Sequence, residues 1–200
     1  MNGNQMRDQW YGDDRDVVKW STLIHLARRE SVDEILHVAM YRPSPPAAPL
    51  TTAFGPVAPP REVLDHFRDL DNLQALAGAT GITIAVFKDL FTHRAAYFRQ
   101  VCDLIHARAT PIVVFLDPDI GLEADQGGPE HVTSAEISTL FAALRPGDLL
   151  VCYQHARRQT GWRGRARRAF ANAQGLPSFE VEVLESTLVK DVVLFSVKKR

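Results

Sequence analysis

At 200 residues, 46% hydrophobic and 24% charged, the chain is long and apolar enough for one domain with a substantial core, which excludes a disordered or low-complexity class. A formal net charge of −1 excludes a polycation, so affinity for nucleic acid would have to come from a local patch. Cys102 and Cys152 form no CxxC pair, which argues against a zinc module or a disulfide framework, and neither the opening MNGNQMRDQWYGDD nor any later run is apolar enough for a leader or a membrane span. A cytoplasmic chain with no membrane partner is expected.

Asp16 is a candidate N-cap for a helix to about Arg29, with Val17, Trp20, Leu23, Ile24 and Ala27 on one face. EILHVAM (34–40) reads as a first strand. The stretch from about 41 to 60 reads as a Pro-rich loop, too rich in proline for helix or inner strand. Short helices are expected over 61–78, then a strand at 82–87. A longer helix from about Thr92 to Arg108 carries Tyr97, Phe98, Val101, Leu104 and Ile105 at helical spacing. PIVVFL (111–116) is an unbroken apolar run, as in a central parallel strand covered on both faces. TSAEISTLFAALRPGD offers a cap at Thr133 or Ser134, a helical stripe and a Pro-Gly stop. A strand at 149–153 and a basic helix to about Ala173 follow. SFEVEVLE and KDVVLFSVKK are close enough to pair as an antiparallel hairpin.

This alternation predicts a single α/β domain over 1–200, a three-layer sandwich with a mostly parallel Rossmann-like sheet ending in an antiparallel hairpin. Ligands of such sheets bind beyond the carboxyl ends of the strands. Asp117-Pro118-Asp119 and Tyr153-Gln154-His155 occupy such ends, as does the chain from Met40 onward.

Asp117, Asp119 and His155 are the candidate catalytic residues: two carboxylates and a side chain that exchanges protons near neutrality, converging from neighbouring strand ends. Alternate residues point opposite ways, so only one of the acids need face the cleft. The competing reading of the acids is turn capping. Asp13, Asp16 and Lys19 form a charged cluster that helix capping and a surface ion pair would explain. His25, His37, His66, His93, His106 and His131 have no comparable context and receive no role. HARRQTGWRGRARRAF (155–170) contains six arginines and no acid. Arg157, Arg158, Arg163, Arg165, Arg167 and Arg168 read as a phosphate-binding stripe, with Trp162 available for stacking.

The order of elements resembles the Rossmann-like methyltransferase fold, in which an acidic-Pro motif follows the fourth strand and the sheet ends in a reversed hairpin. DVVKWSTLIHLARR is similar to the N-terminal helix of the bacterial 23S ribosomal RNA adenine-N6 methyltransferases, and LDPDIG sits where such enzymes have Asp-Pro-Pro-Tyr. The chain also resembles a family of small bacterial and phage proteins with motifs Y-F-G-D-x-x-D-x-x-K-Y, V-D-P-D-x-G and Y-x-H-x-x-R. Here these stand as Trp10-Tyr11-Gly12-Asp13, Asp16 and Lys19-Trp20; Asp117-Pro118-Asp119 with Gly121; and Tyr153, His155 and Arg158. The resemblance implies that Asp13, Lys19 and Tyr153 line the site, and its phage setting suggests a role in phage defence. Two departures stand out. A methyltransferase cradles S-adenosylmethionine with a glycine loop after the first strand, whereas VAMYRPSPP has no glycine; Ile120 replaces the base-stacking aromatic.

Three chemistries compete. Hydrolysis of an N-glycosidic bond in DNA, as in a glycosylase removing modified bases, needs no cofactor and uses a carboxylate and a histidine; it is the preferred expectation. Adenine-N6 methyl transfer with S-adenosylmethionine is the first alternative. A nuclease holding Mg2+ on Asp117, Asp119 and Glu123 is the second. A non-catalytic nucleic-acid-binding protein completes the set.

Overall fold

A computed structural model describes residues 14–42, 50–52, 55–57, 73–123, 127–157 and 160–200. The elements are α1 (Asp14–Glu30), β1 (Glu34–Val38), β2 (Leu50–Thr52), β3 (Gly55–Val57), α2 (Leu73–Thr80), β4 (Thr83–Phe87), α3 (Arg94–His106) and β5 (Val113–Leu116). They continue with β6 (Gly121–Glu123), β7 (His131–Thr133), α4 (Ser134–Ala143), β8 (Leu149–His155), α5 (Trp162–Ala173), a 3-10 turn (Ser178–Glu180), β9 (Glu182–Leu184) and β10 (Val192–Lys198). The main sheet has six strands in the order β4-β1-β5-β8-β10-β9. β4, β1, β5 and β8 run parallel, while β10 is antiparallel to both neighbours. This is the mixed α/β sandwich and reversed hairpin expected from the sequence.

Strand alternation divides the core into two faces. Val113 and Phe115 of β5 pack with Ile35, Ile84, Val151 and Leu194 under α1 and α2. Val114 and Leu116 pack with Leu36, Leu150 and Phe195 under α3, α4 and α5. β5 is therefore apolar throughout because helices cover both its faces.

Several local expectations are corrected. Asp16 is not a cap: the helix already includes Asp14, and the Asp16 carboxylate turns onto Lys19 one turn later. Val17 is exposed and Val18 takes its place in the core. The Pro-rich stretch contains an antiparallel ribbon, β2 with β3, whose second strand accommodates Pro56 because it is an edge. The remainder of that loop, and 61–72 of the helical span, lie outside the described residues. β6 and β7 form a parallel pair that the sequence did not suggest. SFEVEVLE contributes only Glu182–Leu184 as strand, after a 3-10 turn. α4 begins as expected, with Thr133 and Glu136 forming a reciprocal capping box.

Candidate functional site

The chain leaves β1 for β4 through α2 on one face of the sheet, and leaves β5 for β8 through α4 on the other. Oppositely directed connections open a crevice beyond the carboxyl ends of β1 and β5. Ala39 to Arg42 form one wall of it and Asp117-Pro118-Asp119 the other. Arg42 and Asp119 pair across it, and both are largely buried.

Asp117 continues the alternation of Val113 and Phe115, so its side chain faces α1. There Lys19 lies 3.0 Å from Asp117 Oδ1 and 3.1 Å from Asp16 Oδ1. The Lys19 ammonium also stands 4.8 Å from the centre of the Tyr153 ring. His37 follows Ile35 on the same face and places Nε2 3.2 Å from Asp117 Oδ2. The imidazole stacks on Phe115 and meets Trp20 edge-on. Asp16, Lys19, His37 and Asp117 are all buried. Burial alone would push the Asp117 carboxyl up, but Lys19 and His37 outweigh it and hold the group below the usual carboxylate range. Burial likewise disfavours the Lys19 ammonium, yet Asp117 and Asp16 raise its pKa above the ordinary lysine value. Asp117 is thus a charged keystone between helix and sheet.

Gln154 points to the opposite face and is fully buried. Its Nε2 donates to the carbonyls of Ile120 and His155, and its Oε1 accepts from the Leu122 N–H at 3.0 Å. Gly121 has φ +123°, and a Cβ there would lie 2.5 Å from the Gln154 amide. The glycine of the Asp-Pro-Asp-x-Gly segment is required by this close approach. Among the described residues, then, Asp117 and Asp119 hang from a loop clamped by Gln154.

His155 sits at the end of β8 but engages a different carboxylate. Its Nε2 is 3.1 Å from Asp191, which also receives Arg15 at 2.6 Å. Arg157 pairs with Glu123 at 2.6 Å and donates to the Leu122 carbonyl. Arg167 donates to the Val181 carbonyl, and Arg163 to the Lys190 carbonyl. Trp162 is half-buried against the core with Arg163 over its ring. Arg163, Arg165 and Arg168 are exposed. The expected stripe is therefore split: Arg157, Arg163 and Arg167 hold backbone carbonyls, while Arg165 and Arg168 keep the outer face of α5 basic. Asp13 and Arg158 lie outside the described residues. Asp117, Asp119 and Glu123, the triad expected for Mg2+, each face a different cation, and no metal-binding cluster occurs among the described residues.

A groove of about 730 Å³ opens beside the crevice, over the carboxyl ends of β1 and β4 and the first turns of α3. Tyr41, Lys88, Asp89, His93 and Tyr97 line it. Next to Tyr41 the backbone turns at Met40, which takes φ +46° without being glycine. That left-handed conformation costs about 1 kcal/mol, offset by burial of the Met40 side chain and by its N–H, which donates to the Tyr97 hydroxyl at 2.9 Å. The sequence reading missed His37, Arg42, Gln154, Asp191 and the groove. Only His37 left a signal, since its position two residues after Ile35 places it on the α1 face.

No family model matches the chain, and no curated protein matches it. Among solved structures, a DUF574 family protein from Streptomyces avermitilis is 11% identical, with 93% of this chain and 82% of that one covered, at a TM-score of 0.41. A provisionally assigned methyltransferase from Thermobifida fusca is 14% identical, with 92% and 81% covered, also at a TM-score of 0.41. No helix among the described residues is long and apolar enough to cross a membrane.

Proposed function

We propose that the chain is a methyltransferase-type protein that takes an adenosyl cofactor in the groove over β1 and β4 and acts on nucleic acid. The observation that carries this reading is the position of the groove: it adjoins the crevice of a doubly wound sheet, where such folds take their ligands. The residues fit the nucleoside part of such a cofactor. Asp89 offers a carboxylate to sugar hydroxyls, and Tyr41 and His93 offer ring faces. A left-handed turn at Met40 supplies the tight reversal for which glycine is the usual residue.

When bound, the cofactor would supply an electrophilic methyl group. The chain's own part is to position the acceptor: the Arg42–Asp119 pair stands at the crevice beside the groove, and exposed Arg165 and Arg168 on α5 would hold phosphates. Base removal finds no support in this arrangement, because both acids are buried and face cations instead of an open water site. The closed state of Asp117, together with Ile120 in place of a stacking aromatic, favours a second reading in which ligand and nucleic acid bind without transfer.

Calorimetric titration with S-adenosylmethionine and S-adenosylhomocysteine, with methyl incorporation into DNA and RNA followed in parallel, tests the proposal. Micromolar binding that Asp89→Asn weakens about tenfold supports it. Binding without incorporation selects the second reading, and absence of binding together with release of free base would overturn both.

A further inference from the structure

Tyr97 is a buried phenol with half of its hydrogen-bonding capacity used. Its ring is fixed among three phenylalanines, with centroids at 4.7 Å from Phe87, 4.9 Å from Phe91 and 5.5 Å from Phe98. The hydroxyl oxygen accepts from the Met40 N–H, and its own proton finds no acceptor among the described residues. The side chain is only 2% exposed, yet it lines the groove. A buried hydroxyl with an unspent donor costs free energy unless something in the groove receives it.

The surroundings say what would receive it. An N–H donated into a hydroxyl polarises that hydroxyl and makes it a stronger donor. Strong donors gain most from charged oxygen acceptors. The same groove is lined by one ammonium, Lys88, and one carboxylate, Asp89. A positive and a negative group lining the same groove as this hydroxyl match a ligand that itself carries a carboxylate and a cationic or hydroxylic donor. Burial, and then the nearby Asp89 carboxylate, push the Tyr97 phenol above its ordinary range, so it keeps its proton at neutral pH.

We infer that Tyr97 is a ligand-contacting residue, donating its hydroxyl proton to the carboxylate of an amino-acid-bearing ligand in the groove. The backbone N–H of Met40 then acts on the ligand only through Tyr97. This rests on the adenosyl-ligand reading and adds to it the residue that recognises the amino-acid end.

The test compares two probes, S-adenosylhomocysteine, which carries the amino-acid tail, and 5′-methylthioadenosine, which lacks it. Both are titrated calorimetrically into the wild type and Tyr97→Phe. Wild type is expected to bind the tailed probe more tightly, and Tyr97→Phe to lose about tenfold on it while keeping its affinity for the tailless one. Because the affinity ratio is internal to each variant, general loosening from the orphaned Met40 N–H would weaken both probes alike. Equal losses for the two probes, or none, overturn the role of Tyr97 while leaving the adenosyl reading in place. Failure of both probes to bind the wild type overturns the two together. If Tyr97→Phe does not fold, the wild type is titrated with the methyl ester of S-adenosylhomocysteine, whose blocked carboxylate should cost about tenfold; no loss relative to the free acid overturns the role of Tyr97.

Discussion

Replacing Asp117 by asparagine removes the anion that Lys19 and His37 share, while their burial stays the same. Breaking a buried pair from one side costs about 3–5 kcal/mol. Asp16 remains on Lys19, so the expected loss is about 3 kcal/mol at the low end of that range, read from urea unfolding at pH 7. A loss under about 1 kcal/mol would mean a solvated, surface-like pair instead. Gly121 offers a second test at the same scale. Gly121→Ala meets both a positive φ and the Gln154 amide, so overpacking and left-handed strain together cost about 3 kcal/mol. Gln154→Ala itself removes hydrogen bonds to three backbone groups, but in that background Gly121→Ala should cost only its positive-φ strain, about 1–2 kcal/mol, because the crowding is gone. That Asp117, Asp119 and Tyr153 stand at or near strand ends was legible in the sequence. The pairings were not: Asp117 with Lys19 and His37, Asp119 with Arg42, and His155 with Asp191 all join distant parts of the chain, where a single sequence carries no record of pairing.

At the scale of elements, α1 is held to the sheet by charge as well as by its apolar face. Its first turns place Arg15 on Asp191 and Lys19 on Asp117, at the ends of β10 and β5. The pH dependence follows from the two shifts. Asp117 titrates below its unfolded value, so its contribution is complete above about pH 4 and fades as pH falls through the lower folded value. Lys19 titrates above its unfolded value, so its contribution is complete below about pH 10.4 and fades as pH rises towards the folded value. The stability gap between wild type and Asp117→Asn should therefore stay constant from pH 5 to 8 and narrow below about pH 4. Glu30, Glu182 and Asp191 are also held low by their cations and contribute to acid sensitivity in both proteins, so the gap isolates Asp117. A gap unchanged at pH 3 in urea titrations would sink this account. The long elements were legible because periodicity and apolar runs specify them locally. β6, β7 and the 3-10 turn were not, since three-residue elements exist through tertiary pairing: Ile120 donates to the Glu130 carbonyl and His155 to that of Ile120.

At the scale of the molecule, a chain of net charge −1 binds a polyanion only where positive charge is concentrated. The outer face of α5 is the candidate, because Arg163, Arg165 and Arg168 are exposed there. Arg157 and Arg167 are spent inside the fold, and Arg163 is engaged by the Lys190 carbonyl and by Glu185, so six arginines in sequence reduce to a smaller footprint in space. Reversing Arg165 and Arg168 to glutamate touches neither the groove nor the buried acids. Each duplex phosphate that the protein no longer neutralises lowers the slope of log K against log salt by about 0.9, so the double reversal should reduce it by about 2. Fluorescence anisotropy with a labelled 20-mer between 50 and 200 mM salt, a range chosen to span roughly fourfold in ion concentration, measures that slope. S-adenosylhomocysteine affinity should be unchanged in the same variant, because α5 contributes no residue to the groove. If the slope is the same in wild type and variant, nucleic acid does not lie along α5, and the basic face serves solubility.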